Sequence, residues 1–189
     1  MAGEIQLNGT SFASESSGTI TVNNGTIGSG VVFPSNHVIQ VVSENFTTTA
    51  SRAANTYIDT FLTKSITSLA ANSKFLVMVT SMTGGNDATA RIQLRRTISA
   101  TTYDIENDAG QDGVTMGSDA RLGSVRHGTN FHLSYVDSPA AAASTSINYL
   151  IRLRGADSNT VYLGQSGFTT AADSDIKVLS SMTIMELAA

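Results

Sequence analysis

Four carboxylates crowd the segment 104–112, at Asp104, Glu106, Asp108 and Asp112. Counted from Asp104 they stand at positions 1, 3, 5 and 9, a spacing that resembles the one from which a calcium loop gathers oxygen ligands. The rest of that chemistry is missing. Ala109 stands where the sharp turn needs Gly, and Thr115 where a bidentate Glu would close the site. A solvated acidic loop is the expectation. The histidines are His37, His127 and His132. The step of five from His127 to His132 fits no helical zinc motif, and three symmetry-related imidazoles on a trimer axis would be the remaining way to hold a metal. Ordinary surface or hydrogen-bonded histidines are expected instead, and no metal or cofactor is assigned.

Nucleophilic catalysis has no better footing. The chain contains neither a Gly-x-Ser-x-Gly elbow nor a Gly-x-x-x-x-Gly-Lys phosphate loop. Ser and Thr make up about a quarter of the sequence, so any Ser, His and Asp trio picked from it is an accident of composition. Asp104, Glu106 and Asp137 could supply the two carboxyls of a glycosidase, which must lie ~5–9 Å apart. The arginines form the last constellation: Arg91, Arg95 and Arg96 on one predicted strand, then Arg121, Arg126, Arg152 and Arg154. Alternation puts Arg91, Gln93 and Arg95 on one face and Ile92, Leu94, Arg96 and Ile98 on the other. The polar face could grip acidic sugars or pair with the acidic loop of a neighbouring subunit, and a solvated strand face is the plainer alternative.

Composition narrows the classes further. Only 14% of the 189 residues are charged, against about 25% in ordinary soluble domains, and the formal net charge is -4. Polarity is carried by hydroxyls. The acidic balance argues against a nucleic-acid partner, which calls for a basic face. Apolar runs such as 75–79 are far shorter than the ~20 residues of a membrane span, and no basic-then-apolar export signal is evident, so membrane insertion is not expected. Without such a signal, the Asn-x-Thr triplets at Asn8, Asn24 and Asn45 read as turn and strand chemistry. The absence of Cys removes disulfides, thiolate metal sites and thiol catalysis together.

The elements that must carry these side chains are strands. Residues 1–35 hold two period-2 units, Ile5-Gln6-Leu7 and Ile20-Thr21-Val22, each followed by an Asn-Gly turn signal. They have too few apolar side chains for a core of their own, so 1–35 is read as an extended arm that pairs with a neighbour, with Ile5, Leu7, Ile20 and Val22 as attachment residues. A loose terminal tail is the alternative. From residue 36 onward the chain reads as strands over 37–43, 56–67, 74–81, 90–98, 130–136, 146–154, 159–164 and 178–187, rich in Thr, Val, Ile and Tyr. With no ten-residue helices to serve as crossovers, an all-β antiparallel sandwich of jelly-roll type is predicted for 36–189.

Two strands are apolar on both faces. Phe75, Val77 and Val79 oppose Leu76 and Met78, and Met182 and Ile184 oppose Met185 and Leu187. A sandwich strand buries one face in its own core, so a second apolar face points to a subunit interface or a covering loop. These nine residues are the candidate oligomer interface.

The order of strand motifs resembles a domain of tail-fibre and other virion surface proteins of marine bacteriophages. The likeness rests on His37-Val38-Ile39-Gln40-Val41-Val42, Tyr57-Ile58-Asp59-Thr60, and Ser65-Ile66-Thr67 leading to Ser73-Lys74-Phe75-Leu76-Val77-Met78-Val79. It continues in Leu122-Gly123-Ser124-Val125-Arg126-His127, Tyr135-Val136-Asp137-Ser138-Pro139, Thr160-Val161-Tyr162-Leu163 and Ser181-Met182-Thr183-Ile184-Met185-Glu186-Leu187. The opening Glu4-Ile5-Gln6-Leu7-Asn8-Gly9-Thr10 also looks like the start of such proteins. The resemblance implies a non-enzymatic virion protein assembled in the host cytoplasm, a homotrimer whose β-sandwich head is fixed to other virion proteins by its N-terminal arm. It supplies no catalytic residues. With only about 35 residues ahead of the domain, a compact appendage of capsid or tail fits better than a long fibre. A carbohydrate-binding module that recognises a host-surface glycan is the alternative, weakened by five Tyr and no Trp for stacking on sugars.

Overall fold

Alternating side chains and β-branched residues dictate strands almost throughout, and the computed structural model contains no helix among the described residues. Those residues are 4–7, 10–16, 19–22, 34–53, 55–85, 89–105, 116–119, 127–155, 160–167 and 176–189. The chain divides into two compact units, Met1–Pro34 and Ser35–Ala189.

The first unit is an antiparallel three-stranded sheet of β1 (Glu4–Leu7), β2 (Thr10–Ser16) and β3 (Thr19–Val22), with β2 in the centre. The segment read as an arm thus holds three strands that pair with one another. The sequence Asn8-Gly9, read as the end of a strand, falls between two paired ones, and the hydroxyl-rich β2 has too few apolar side chains to announce itself as a strand. Ile5 and Leu7 lie in β1 and Ile20 and Val22 in β3; their side chains are outside the described residues.

The second unit contains β4 (Val38–Phe46), β5 (Ala50–Arg52), β6 (Ile58–Thr67), β7 (Lys74–Gly85), β8 (Thr89–Ile98) and β9 (Thr101–Ile105). It continues through β10 (Met116–Asp119), β11 (His127–Asp137), β12 (Ser146–Gly155), β13 (Val161–Leu163) and β14 (Ser180–Leu187). One sheet runs β4-β14-β7-β11, and β5 and β13 prolong the β4 and β14 positions along the far end of β7. The other runs β6-β12-β8, with β9 and β10 sharing the remaining edge of β8. All pairings are antiparallel. From β6 onward the chain passes repeatedly from one sheet to the other, and this order is that of an eight-position jelly roll.

Each sheet turns its apolar face inward. Phe75, Val77 and Val79 of β7, Met182 and Ile184 of β14, and Phe131 and Leu133 of β11 meet Leu62, Ile66, Ile92, Leu94, Ile147, Tyr149, Ile151 and Leu153 from the opposite sheet in one core. The Phe75 and Tyr149 rings cross the interior at 6.4 Å between centroids. Close approach replaces side chains where 165–167 crosses β7: a Cβ on Gly84 would lie 2.3 Å from the backbone nitrogen of Gly167.

Candidate functional site

Position within the pleat decides what each polar residue of this sandwich can do. On the outward face of the β6-β12-β8 sheet, register brings Asp59 beside Arg152 and Arg95 beside Asp104. Arg95 grips Asp104 with two bonds, Nε to Oδ1 at 2.6 Å and Nη2 to Oδ2 at 3.1 Å. Arg152 donates to Asp59 at 2.9 Å, to Gln93 at 2.8 Å and to Asp104 at 3.4 Å. The Arg152 and Arg154 guanidinium groups also lie over the Tyr57 ring at 5.3 and 5.4 Å. Hydrogen bonding to Arg95 holds the Asp104 carboxyl below its ordinary range, against the opposing effect of burial. The first carboxylate of the acidic segment thus pairs within its own subunit; residues 106–115, including the other calcium-loop positions, are outside the described residues.

The inward face carries a second charge cluster at one end of the sandwich. In the β4-β14-β7-β11 sheet, Gln40, Glu186, Phe75 and Asp137 form one cross-strand row. The fully buried Glu186 carboxylate accepts the Leu69 and Ala70 backbone N–H groups at 2.9 and 3.1 Å and the Gln40 amide at 3.0 Å, tying down the loop between β6 and β7. On the other side of Phe75, Asp137 accepts Arg96 Nη1 at 2.5 Å and the Tyr149 hydroxyl at 2.7 Å, both from the opposite sheet. Burial, and then the Asp137 charge, push the Tyr149 hydroxyl well above the ordinary phenol range. The signal for this cluster was the placing of Arg96 on the apolar face of its strand, an arrangement that burial allows only with a partner. Its partner, 41 positions away, could not be read from spacing.

Asp104 and Asp137 therefore do not form a catalytic carboxyl pair. Asp104 faces outward and Asp137 inward from a different sheet, and each is committed to an arginine. His132 Nδ1 shares a hydrogen bond with Thr80 on the outward side of β11, and His37 precedes β4.

The nine candidate interface residues separate by parity. Phe75, Val77, Val79, Met182 and Ile184 are at most 1% exposed and belong to the core, so they are removed from the candidate interface. Leu76, Met78, Met185 and Leu187 lie on the outward face. There, register aligns Val41, Met185, Leu76 and Val136 in an apolar row across all four strands, with Val41 and Val136 53% and 51% exposed. The next rows are Ser43, Thr183, Met78 and Ser134, then Asn45, Ser181, Thr80 and His132. Lys74 is the only Lys, Arg, Asp or Glu on this face among the described residues of the four strands.

Against known proteins, the sequence matches no family model and no curated protein significantly.

Proposed function

We propose that this chain is a non-enzymatic structural protein of a bacteriophage virion, a trimeric surface appendage of capsid or tail with a part in host attachment. The Ser35–Ala189 unit is the head, and the Met1–Pro34 unit joins it to other virion proteins. The observation that carries this reading is the segregation of charge between the two outward sheet faces. The β6-β12-β8 sheet displays Arg91, Arg95, Arg152 and Arg154 with Asp59 and Asp104, whereas the β4-β14-β7-β11 sheet displays an apolar row flanked by hydroxyl rows. Depletion of charge and enrichment of Met and apolar groups are marks of the centre of a protein interface. Jelly rolls recur in viral capsid proteins and lectins, which agrees with the reading.

Light scattering on the purified full chain is expected to give three times the 19.7 kDa chain mass; a concentration-independent monomer overturns the assembly. Removing residues 1–34 is expected to leave a folded oligomer that no longer joins particles, and retained incorporation overturns the attachment role.

A further inference from the structure

Beside the Arg96–Asp137 pair, at the same end of the sandwich, lies an open cleft of about 520 Å³. One wall is the β8-β9 hairpin, which contributes Ser99, Thr101 and Tyr103; the other is the run 139–142, Pro-Ala-Ala-Ala, which follows β11. Its volume falls within the ~300–1,000 Å³ of small-molecule sites.

Three observations say what this cleft would take. Among the described residues Arg96 is the only charged one lining it, and its guanidinium lies 4.8 Å from the centre of the Tyr103 ring, a residue 45% exposed. Acceptors on the nearby carboxylate are already used: Asp137 Oδ1 takes Arg96 Nη1 and Oδ2 takes the Tyr149 hydroxyl. Arg96 has five N–H donors, and its buried Nε–H has no partner. The cleft therefore presents the edge of one guanidinium already paired with Asp137, a half-exposed aromatic ring on one side and an apolar strip opposite.

The third observation is the tightly turned backbone of both walls. Six residues other than Gly have positive φ among those described; two are Asn36 and Asn72, a residue type that tolerates it. The other four are Ser99, Ala100, Ala140 and Ser144. Ser99 and Ala140 line the cleft, and Ala100 and Ser144 each adjoin a lining residue. Ser99 and Ala100 are the central pair of the two-residue β8-β9 turn, whose hairpin geometry requires positive φ at both, and Ala140 and Ser144 set the course of the opposite wall.

We propose that this cleft binds a sugar carrying a carboxylate. The carboxylate would face Arg96, the ring's C–H face would lie on Tyr103 or the alanine strip, and its hydroxyls would meet Ser99, Thr101 and Thr145. The site belongs to a single subunit and does not rest on the trimeric assembly.

The test is an amide chemical-shift titration of the isotope-labelled full chain with glucuronate, glucose and acetate, at concentrations that saturate a millimolar site. Glucuronate is expected to shift the amides of 96–103 and 139–145 and to bind at least fivefold more tightly than either other probe. Tyr103→Ala is expected to weaken it about fivefold, and Ala142→Trp, at an exposed position, to abolish it by filling the cleft, both with unchanged spectra elsewhere. Absence of shifts in these segments overturns the proposal, as does binding that Ala142→Trp leaves intact. Equal binding of glucose overturns the role of the carboxylate, and equal binding of acetate that of the sugar ring.

Discussion

The Tyr149 hydroxyl reaches across the sandwich to the Asp137 carboxylate, 2.7 Å away in the opposite sheet. Together with Arg96 it joins the two sheets by directional bonds at an end where apolar packing gives way to the cleft. Removing different members of such a buried cluster leaves different groups without a partner, so its members should be unequal to mutation.

Asp137→Asn is expected to cost about 3–5 kcal/mol, because it leaves the largely buried Arg96 guanidinium without its counter-charge. Tyr149→Phe keeps the ring and removes one bond to a charged group, at about 1.5–3 kcal/mol. Urea unfolding of both variants should rank them in that order.

On the outward face of the same sheet, Arg95→Ala should cost no more than about 1 kcal/mol although it breaks more bonds. Its partners Asp59 and Asp104 are 58% and 33% exposed, and solvent screens such pairs. The loss should shrink further in high salt, which the Asp137 variant should not show to the same degree.

The pH dependence has two limbs of opposite sign. Hydrogen bonding to Arg95 lowers the folded pKa of Asp104, so its contribution is complete above the unfolded value near ~4 and disappears as pH falls through the lowered one. Burial raises that of Tyr149, so its contribution is complete below ~10 and is lost as pH rises beyond that value, where the unfolded chain ionises first. Unfolding midpoints across pH should therefore fall at both extremes. Tyr149→Phe should flatten the alkaline limb, and Asp104→Asn the acid one.

Glu186→Ala should release the loop between β6 and β7. The Leu69 and Ala70 amides lose their acceptor, and their hydrogen exchange should accelerate beyond that of the β7 core amides, with a stability loss of about 2–3 kcal/mol.

Parity within β7 and β14 gives a sharper contrast. Ile184→Ala should cost about 2–5 kcal/mol through the cavity it leaves in the core. Its neighbour Met185, changed to Asp, should leave the fold intact and convert the assembly to monomers in light scattering. An unchanged mass for this variant and for Leu76→Asp would remove the outward row from the interface.

The strand content and the antiparallel sandwich were legible because period-2 patterning is local: 74–81, 90–98 and 146–154 are all strands, to within a few residues at their ends. Less was legible where patterning is weak. Residues 101–105 are exposed at all but Ile105, so nothing in their composition announces the edge strand β9. Similarly, β5 is three residues long and is defined by pairing with β13. Alternation also separated Arg91 and Arg95 from Arg96, but no local rule links Arg96 to Asp137.

Sequence by itself settled that this chain is built of strands, that β7 and β14 are apolar on both faces, and that hydroxyls rather than charges carry its polarity, since each of these depends on residue type and a spacing of one or two positions. Which apolar face became the core was decided only by tertiary structure, because both faces of β7 carry large apolar side chains and what packs across from them is set by distant strands. The same is true of the charges. Asp104 and Asp137 are alike as residues, yet one lies on an outward face and the other inside the sandwich, where a carboxylate is stable only because Arg96 and Tyr149 arrive from the opposite sheet.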